Sequence, residues 1–135
     1  EVLQACRSLL SPGGVLVVKV PNEFNAFQLA AQASLELDRW WVQAPTHIFY
    51  FDFESMGALL SDLGFKVRAS LADFPMSLFL LMGENYVNND TVGSECHNRR
   101  VRFEQSVSDE NRRTFYNHLA QANLGRNCTL FATVE

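Results

Sequence analysis

Residues 9–22 read LLSPGGVLVVKVPN, and this stretch decides the fold class. Val15 to Val20 is rich in β-branched residues and nearly continuously apolar, as expected of a strand buried on both faces. The Ser11-Pro12-Gly13-Gly14 run before it stops a helix, because proline cannot continue one and glycine accepts the turn. That helix is predicted over residues 2–10, with Val2, Cys6, Leu9 and Leu10 on one face. Pro21-Asn22 ends the strand. Asn22 therefore stands at a carboxyl end, where open α/β sheets place ligands.

Working outward, Phe24 to Trp41 is predicted helical, with Phe27, Ala30, Ala31 and Leu35 at 3–4 spacing. Residues 40–51 are aromatic-rich and irregular, and Pro45 precludes one uninterrupted helix. Asp52 is a plausible N-cap for a clearer helix whose stripe is Met56, Leu59, Leu60 and Leu63, and Gly64 is placed to end it. From Lys66 to Leu71 the residues alternate. Val67, Ala69 and Leu71 face one way, and Lys66, Arg68 and Ser70 face the other, as on an edge strand. Pro75 to Met82 opens another helix, residues 85–93 form a polar loop, and Glu95 to Val107 is helical. Ser108-Asp109-Glu110-Asn111 starts a helix with Phe115, Leu119 and Ala122 buried, and Gly125 ends it. Cys128 to Val134 is the closing strand. The order of elements makes the chain α/β. Three strands are few for a freestanding doubly wound sheet, and the first residues already read as the middle of a domain. The chain is therefore expected to be part of a larger fold.

Bulk properties narrow the function classes. A balance of 47% hydrophobic and 19% charged residues is globular, not disordered. A formal charge of −4 offers no footprint for nucleic acid. No apolar run approaches the roughly 18 residues of a membrane span. The three cysteines, Cys6, Cys96 and Cys128, are widely and irregularly spaced. They argue against a disulfide framework and for a reducing cytoplasm. Neither they nor His47, His97 and His118 show metal-ligand spacing.

Together these segments resemble the distal half of class I S-adenosylmethionine-dependent methyltransferases. Leu9 to Val18 followed by Val20-Pro21-Asn22 resembles the helix, turn and fifth strand of that family. Pro45-Thr-His-Ile-Phe-Tyr-Phe51, the next helix and Leu63-Gly-Phe65 resemble the approach to its sixth strand. Asp73-Phe-Pro-Met76, Phe79-Leu-Leu-Met-Gly83, Cys96-His97 and Gly125-Arg-Asn127 resemble one subset of it. The resemblance implies a partial Rossmann-like fold, with residues 1–135 as the C-terminal, substrate-side portion and the N-terminal cofactor-binding half missing. It implies the sheet order fifth, seventh, sixth, with the last strand antiparallel between its neighbours. It also implies methyl transfer to a small-molecule oxygen, nitrogen or carbon acceptor by the intact protein. The family's glycine-rich loop after its first strand and its acidic residue after the second are absent, since Gly13-Gly14 precedes a strand.

His47 is the candidate catalytic base. It lies in the aromatic loop that faces substrate in the resembling family, and a near-neutral imidazole suits a hydroxyl acceptor. The competing role is structural, with the ring bonded to backbone beside Pro45 and Tyr50. Asn22 is a candidate substrate ligand or the cap of the next helix. Tyr50 either bonds an acceptor or packs with Trp40, Trp41, Phe49 and Phe51. His97 and Arg100 are candidates for reading an anionic substrate, against a solvated helix face paired with Glu95 and Glu104.

Two alternatives stand beside the methyltransferase reading. One is the distal half of another Rossmann-like enzyme, such as a nicotinamide-dependent oxidoreductase. The other is a non-catalytic binding or dimerisation module that self-associates through an exposed strand edge. Neither nucleic acid nor membrane is an expected partner. With no cofactor loop, the 135-residue chain alone is expected to bind S-adenosylmethionine weakly or not at all and to be inactive. Calorimetry with S-adenosylhomocysteine checks this, and micromolar affinity would overturn it.

Overall fold

The computed structural model describes residues 1–134. Helix α1 (Val2–Leu9) leads into strand β1 (Val15–Pro21), followed by α2 (Ala26–Ser34), α3 (Phe53–Asp62) and β2 (Phe65–Ala72). After these come α4 (Ser77–Leu81), α5 (Asp90–Ser106), α6 (Asp109–Gln121) and β3 (Asn127–Val134). The sheet has the order β1-β3-β2, and β3 is antiparallel to both neighbours. The chain is thus α/β, with the last strand central as expected.

Helix α3 forms where its stripe predicts. Asp52 Oδ1 accepts from the Ser55 amide at 2.8 Å, and the Ser55 hydroxyl accepts from the Asp52 amide at 3.0 Å. Met56 and Leu60 are buried against Phe65, Cys128, Leu130 and Ala132, and Leu16, Val18 and Val20 pack at the same core. Gly64 ends the helix at φ +78°. Helix α6 packs against β2. An aromatic series, Phe74, Phe103, Phe115 and Tyr116, with centroids 5.5–5.9 Å apart, continues along α5 and α6.

Several expectations are corrected. β1 is not buried on both faces: Val15 and Val17 are each 53% exposed, and the strand pairs only with β3 among the described residues. In β2 a bulge between Val67 and Ala69 breaks the alternation. Val67 opposes Ala132, on the α3 side, while Ala69 and Leu71 oppose Phe131 and Thr129 on the other. The helix over 24–41 stops at Ser34, because Glu36 turns left-handed at φ +51° and sends Trp40 and Trp41 back over the sheet end. Helix α5 begins five residues early, where Asn89 accepts from the Val92 amide at 3.2 Å and caps it despite Gly93 in its first turn.

Helix α6 ends at Gln121, well before Gly125. Asn123 takes the left-handed position at φ +53°, and its side chain reaches Asp52 Oδ2 at 3.0 Å. Gly125 has a different task. At φ +109°, a Cβ there would lie 2.6 Å from the Ala72 Cβ and 2.9 Å from the Asp73 carbonyl oxygen. Both neighbours are rigidly placed, so neither relaxes cheaply. Gly125→Ala should therefore destabilise the protein by more than about 2 kcal/mol, read as a lowered midpoint in urea denaturation. An unchanged midpoint would show that the approach is not tight.

Candidate functional site

The carboxyl ends of β1 and β2 and the start of β3 lie at one end of the sheet. A cavity of about 460 Å³ opens there, within the usual range for small-molecule sites. Pro21 and Glu23 follow β1 into it, and Asn25 and Gln28 come from the start of α2. Trp40 and Trp41 form a second side, Tyr86 and His97 a third, and Arg126 stands at the entry to β3. A more apolar hollow of about 250 Å³ shares Pro21, Glu23 and Trp41 with it and adds His47, Phe49 and Tyr50. Glu23 and Trp41 therefore belong to both spaces.

Local structure explains why Glu23 is presented here. Its amide donates to the Phe51 carbonyl at 2.9 Å. The next residue, Phe24, sits at φ +58°, a costly conformation for a bulky residue. Edge-on ring contacts hold it, with centroids 5.7 Å from Trp41 and 5.8 Å from Tyr50. Asn25 then caps α2, accepting from the amides of Phe27 and Gln28 at 3.1 and 3.2 Å. The Gln28 side chain accepts from the Asn25 amide at 3.3 Å and donates to Glu23 Oε2 at 2.6 Å. Burial pushes the Glu23 carboxyl above its ordinary value of 4.5. The Gln28 hydrogen bond and the positive fields of Arg126 and His47 offset only part of that.

The predicted residues are partly gathered here. His47 is exposed on the apolar hollow, and its amide donates to the Gln43 carbonyl at 2.9 Å. The Tyr50 hydroxyl accepts from the Gln43 amide and donates to the His47 carbonyl, both at 3.0 Å, so Tyr50 ties the loop together beside the hollow. His97 lines the main cavity. Arg100 does not line it: its guanidinium pairs with Glu104 at 3.3 Å and lies 3.4 Å from His97 Nδ1. Asn22 does not cap α2, since Asn25 does. Asn22 is fully buried, and its Nδ2 donates to the carbonyls of Asn123 and Gly125, both at 3.2 Å.

Sequence reasoning missed Glu23, Trp41 and Arg126. Glu23 had a usable signal, an acid placed directly after the carboxyl end of the first strand. By sequence Trp41 is a packing residue, but its buried Nε1–H has no hydrogen-bond partner among the described residues. Arg126 is distant in sequence and reaches the cavity only because β3 returns between its neighbours.

Residues 1–70 match the family model of the methyltransferase domain, just over half of the chain. The chain belongs to this family. It is a class I, S-adenosylmethionine-dependent methyltransferase domain. The matched stretch contains β1, Asn22, Glu23, His47 and Tyr50, whereas His97, Arg100 and Arg126 lie beyond it. No curated protein matches the chain, and no solved structure does. The family binds S-adenosylmethionine, but the described residues do not fit the cradle for its nucleoside. β1 is followed by Pro21-Asn22-Glu23 and β2 by Asp73-Phe74-Pro75, so neither strand feeds a glycine-rich turn. No helix is long and apolar enough to cross a membrane among the described residues.

Because the Glu23 pKa is raised on folding, its protonated form favours the native state. That contribution is fully present below the unfolded value of 4.5 and is lost as pH rises through the higher folded value. Glu23→Gln cannot titrate. Its stability relative to the parent protein should therefore rise as pH climbs from about 4 to 7, in urea melts at each pH. A difference that stays flat over this range would place Glu23 in ordinary solvent.

Proposed function

We propose that this chain forms the acceptor side of a methyltransferase active site. In this reading it holds a small molecule in the cavity beyond β1 and accepts the proton that an O–H or N–H group loses on methylation. Glu23 carries the proposal. It is a partly desolvated carboxyl with a raised pKa, shared by the polar cavity and the apolar hollow in a domain of the methyltransferase family. A carboxylate with a raised pKa is a stronger base once ionised. His47 contacts the acceptor from the hollow, where Trp41, Phe49 and Tyr50 provide an apolar wall. The cavity and hollow position the acceptor, which is the larger part of what an enzyme supplies to an in-line transfer.

We propose further that the chain is the substrate-side portion of a Rossmann-like domain, with β1, β3 and β2 as its fifth, seventh and sixth strands. The half-exposed Val15 and Val17, and the edge of β1 that no described residue pairs, support a further neighbouring strand. S-adenosylmethionine is then held by residues outside those described here.

In the full protein, Glu23→Gln should lower kcat for methyl transfer about a hundredfold with little change in KM. His47→Ala should lower it roughly tenfold without unfolding the protein. If both variants turn over at the parental rate, these residues take no part in the reaction.

A further inference from the structure

Beside the Glu23 carboxyl, the cavity presents hydrogen-bond donors that the protein does not use. Gln28 is committed to Glu23 and to the Asn25 amide. Asn25 caps α2, and the Asn127 side chain is committed to Asp73. Three donors there are placed to meet a ligand. The buried Trp41 Nε1–H has no partner among the described residues. His97 Nδ1 lies 3.4 Å from Arg100 Nη2; when it accepts that N–H, the neutral imidazole carries its proton on Nε2. The Arg126 guanidinium makes no ion pair or hydrogen bond within the described residues, although Glu23 is near enough to feel its charge. An arginine beside an acid that does not close onto it keeps its planar fork of donors for something else.

The backbone beneath Arg126 is fixed on both sides. The Asn22 amide donates to the Arg126 carbonyl at 2.9 Å. The Gly125 carbonyl accepts from Asn22 Nδ2 at 3.2 Å and Asn25 Nδ2 at 3.4 Å. The Asn127 amide donates to Asp73 Oδ1 at 2.7 Å. The side chain of Arg126 is thus an exposed arm on a hydrogen-bonded mount at the cavity wall.

We infer that the acceptor carries an anionic group, a carboxylate or a phosphate, that docks on Arg126 with Trp41 and His97 as further donors. This rests on the cavity being the acceptor site. It adds a substrate class to that reading and draws on a residue outside the stretch that matches the family model. The aromatic wall of Trp40 and Trp41 suits a ring on the same ligand.

Both tryptophans of the chain line the cavity, so intrinsic fluorescence reports its occupation without any turnover. The full protein is titrated with benzoate, phenyl phosphate and uncharged benzyl alcohol. Both anions should change the emission saturably, and benzyl alcohol should bind about tenfold more weakly or worse. Arg126→Gln should weaken the anions about tenfold or more and leave benzyl alcohol unaffected. Arg126→Lys should fall between, and Arg113→Gln, on the exposed face of α6, should match the parent. Tighter benzoate identifies a carboxylate site, and tighter phenyl phosphate a phosphate site. Equal binding of benzyl alcohol and benzoate, no response to either anion, or anion binding indifferent to Arg126→Gln overturns the inference. Loss of turnover in Glu23→Gln with such indifference removes only the anion site. Arg126-dependent anion binding with turnover untouched in Glu23→Gln and His47→Ala removes instead the assignment of those two residues.

Discussion

The return of the last strand between the first two is the constraint on which the rest of this structure depends. β3 enters the gap between β1 and β2 through Gly125, where a Cβ would meet the Ala72 Cβ at 2.6 Å. A left-handed glycine allows that approach, and three side chains secure it. Asn22 donates to the carbonyls of Asn123 and Gly125, Asn25 to that of Gly125, and Asp73 accepts from the Asn127 amide. These bonds join the ends of all three strands. They also bury the Asn22 side chain, so a residue that sequence placed at a ligand position is occupied in holding the sheet end closed.

The same closure creates the electrostatics of the cavity. Because Asn127 pairs with Pro21, Arg126 and Glu23 are brought beside each other from positions more than a hundred residues apart in sequence. Glu23 is held by Gln28, and Arg126 is left without a partner among the described residues. The cavity therefore contains a carboxyl that burial weakens as an acid and a guanidinium with free donors. Had the two closed into an ion pair, neither would be available to a ligand. Gln28 of the Asn25–Gln28 capping box also donates to Glu23, so the start of α2 has a role in the site as well as in the helix.

Much of the fold was legible because it rests on local chemistry. Asp52 and Gly64 mark the ends of α3, and the 3–4 stripe between them faces the core. Ser108 caps α6 where the sequence places it. Expectations failed where a local signal had a non-local answer. The alternation in β2 is reset by one bulge. The helical pattern after Phe24 ends early because Glu36 turns left-handed. β1 reads as doubly buried, but one of its faces is half-exposed in this chain, since apolar character records what a strand is suited to pack against and not what is there.

Sequence by itself determined the α/β class, the position of most elements, the edge character of β2, and the resemblance to methyltransferases. Those follow from periodicity, capping and turn chemistry, which act over a few residues. Only the tertiary structure decided which polar groups are spent. It tied Asn22 and Tyr50 into backbone bonds, paired Arg100 with Glu104, and left Glu23, Trp41 and Arg126 around one cavity. The physical reason is that a hydrogen-bonding group has no fixed role until its partners are known. For Arg126 the nearest carboxyl in the cavity belongs to a residue a hundred positions away, which only the folding of the last strand brings near.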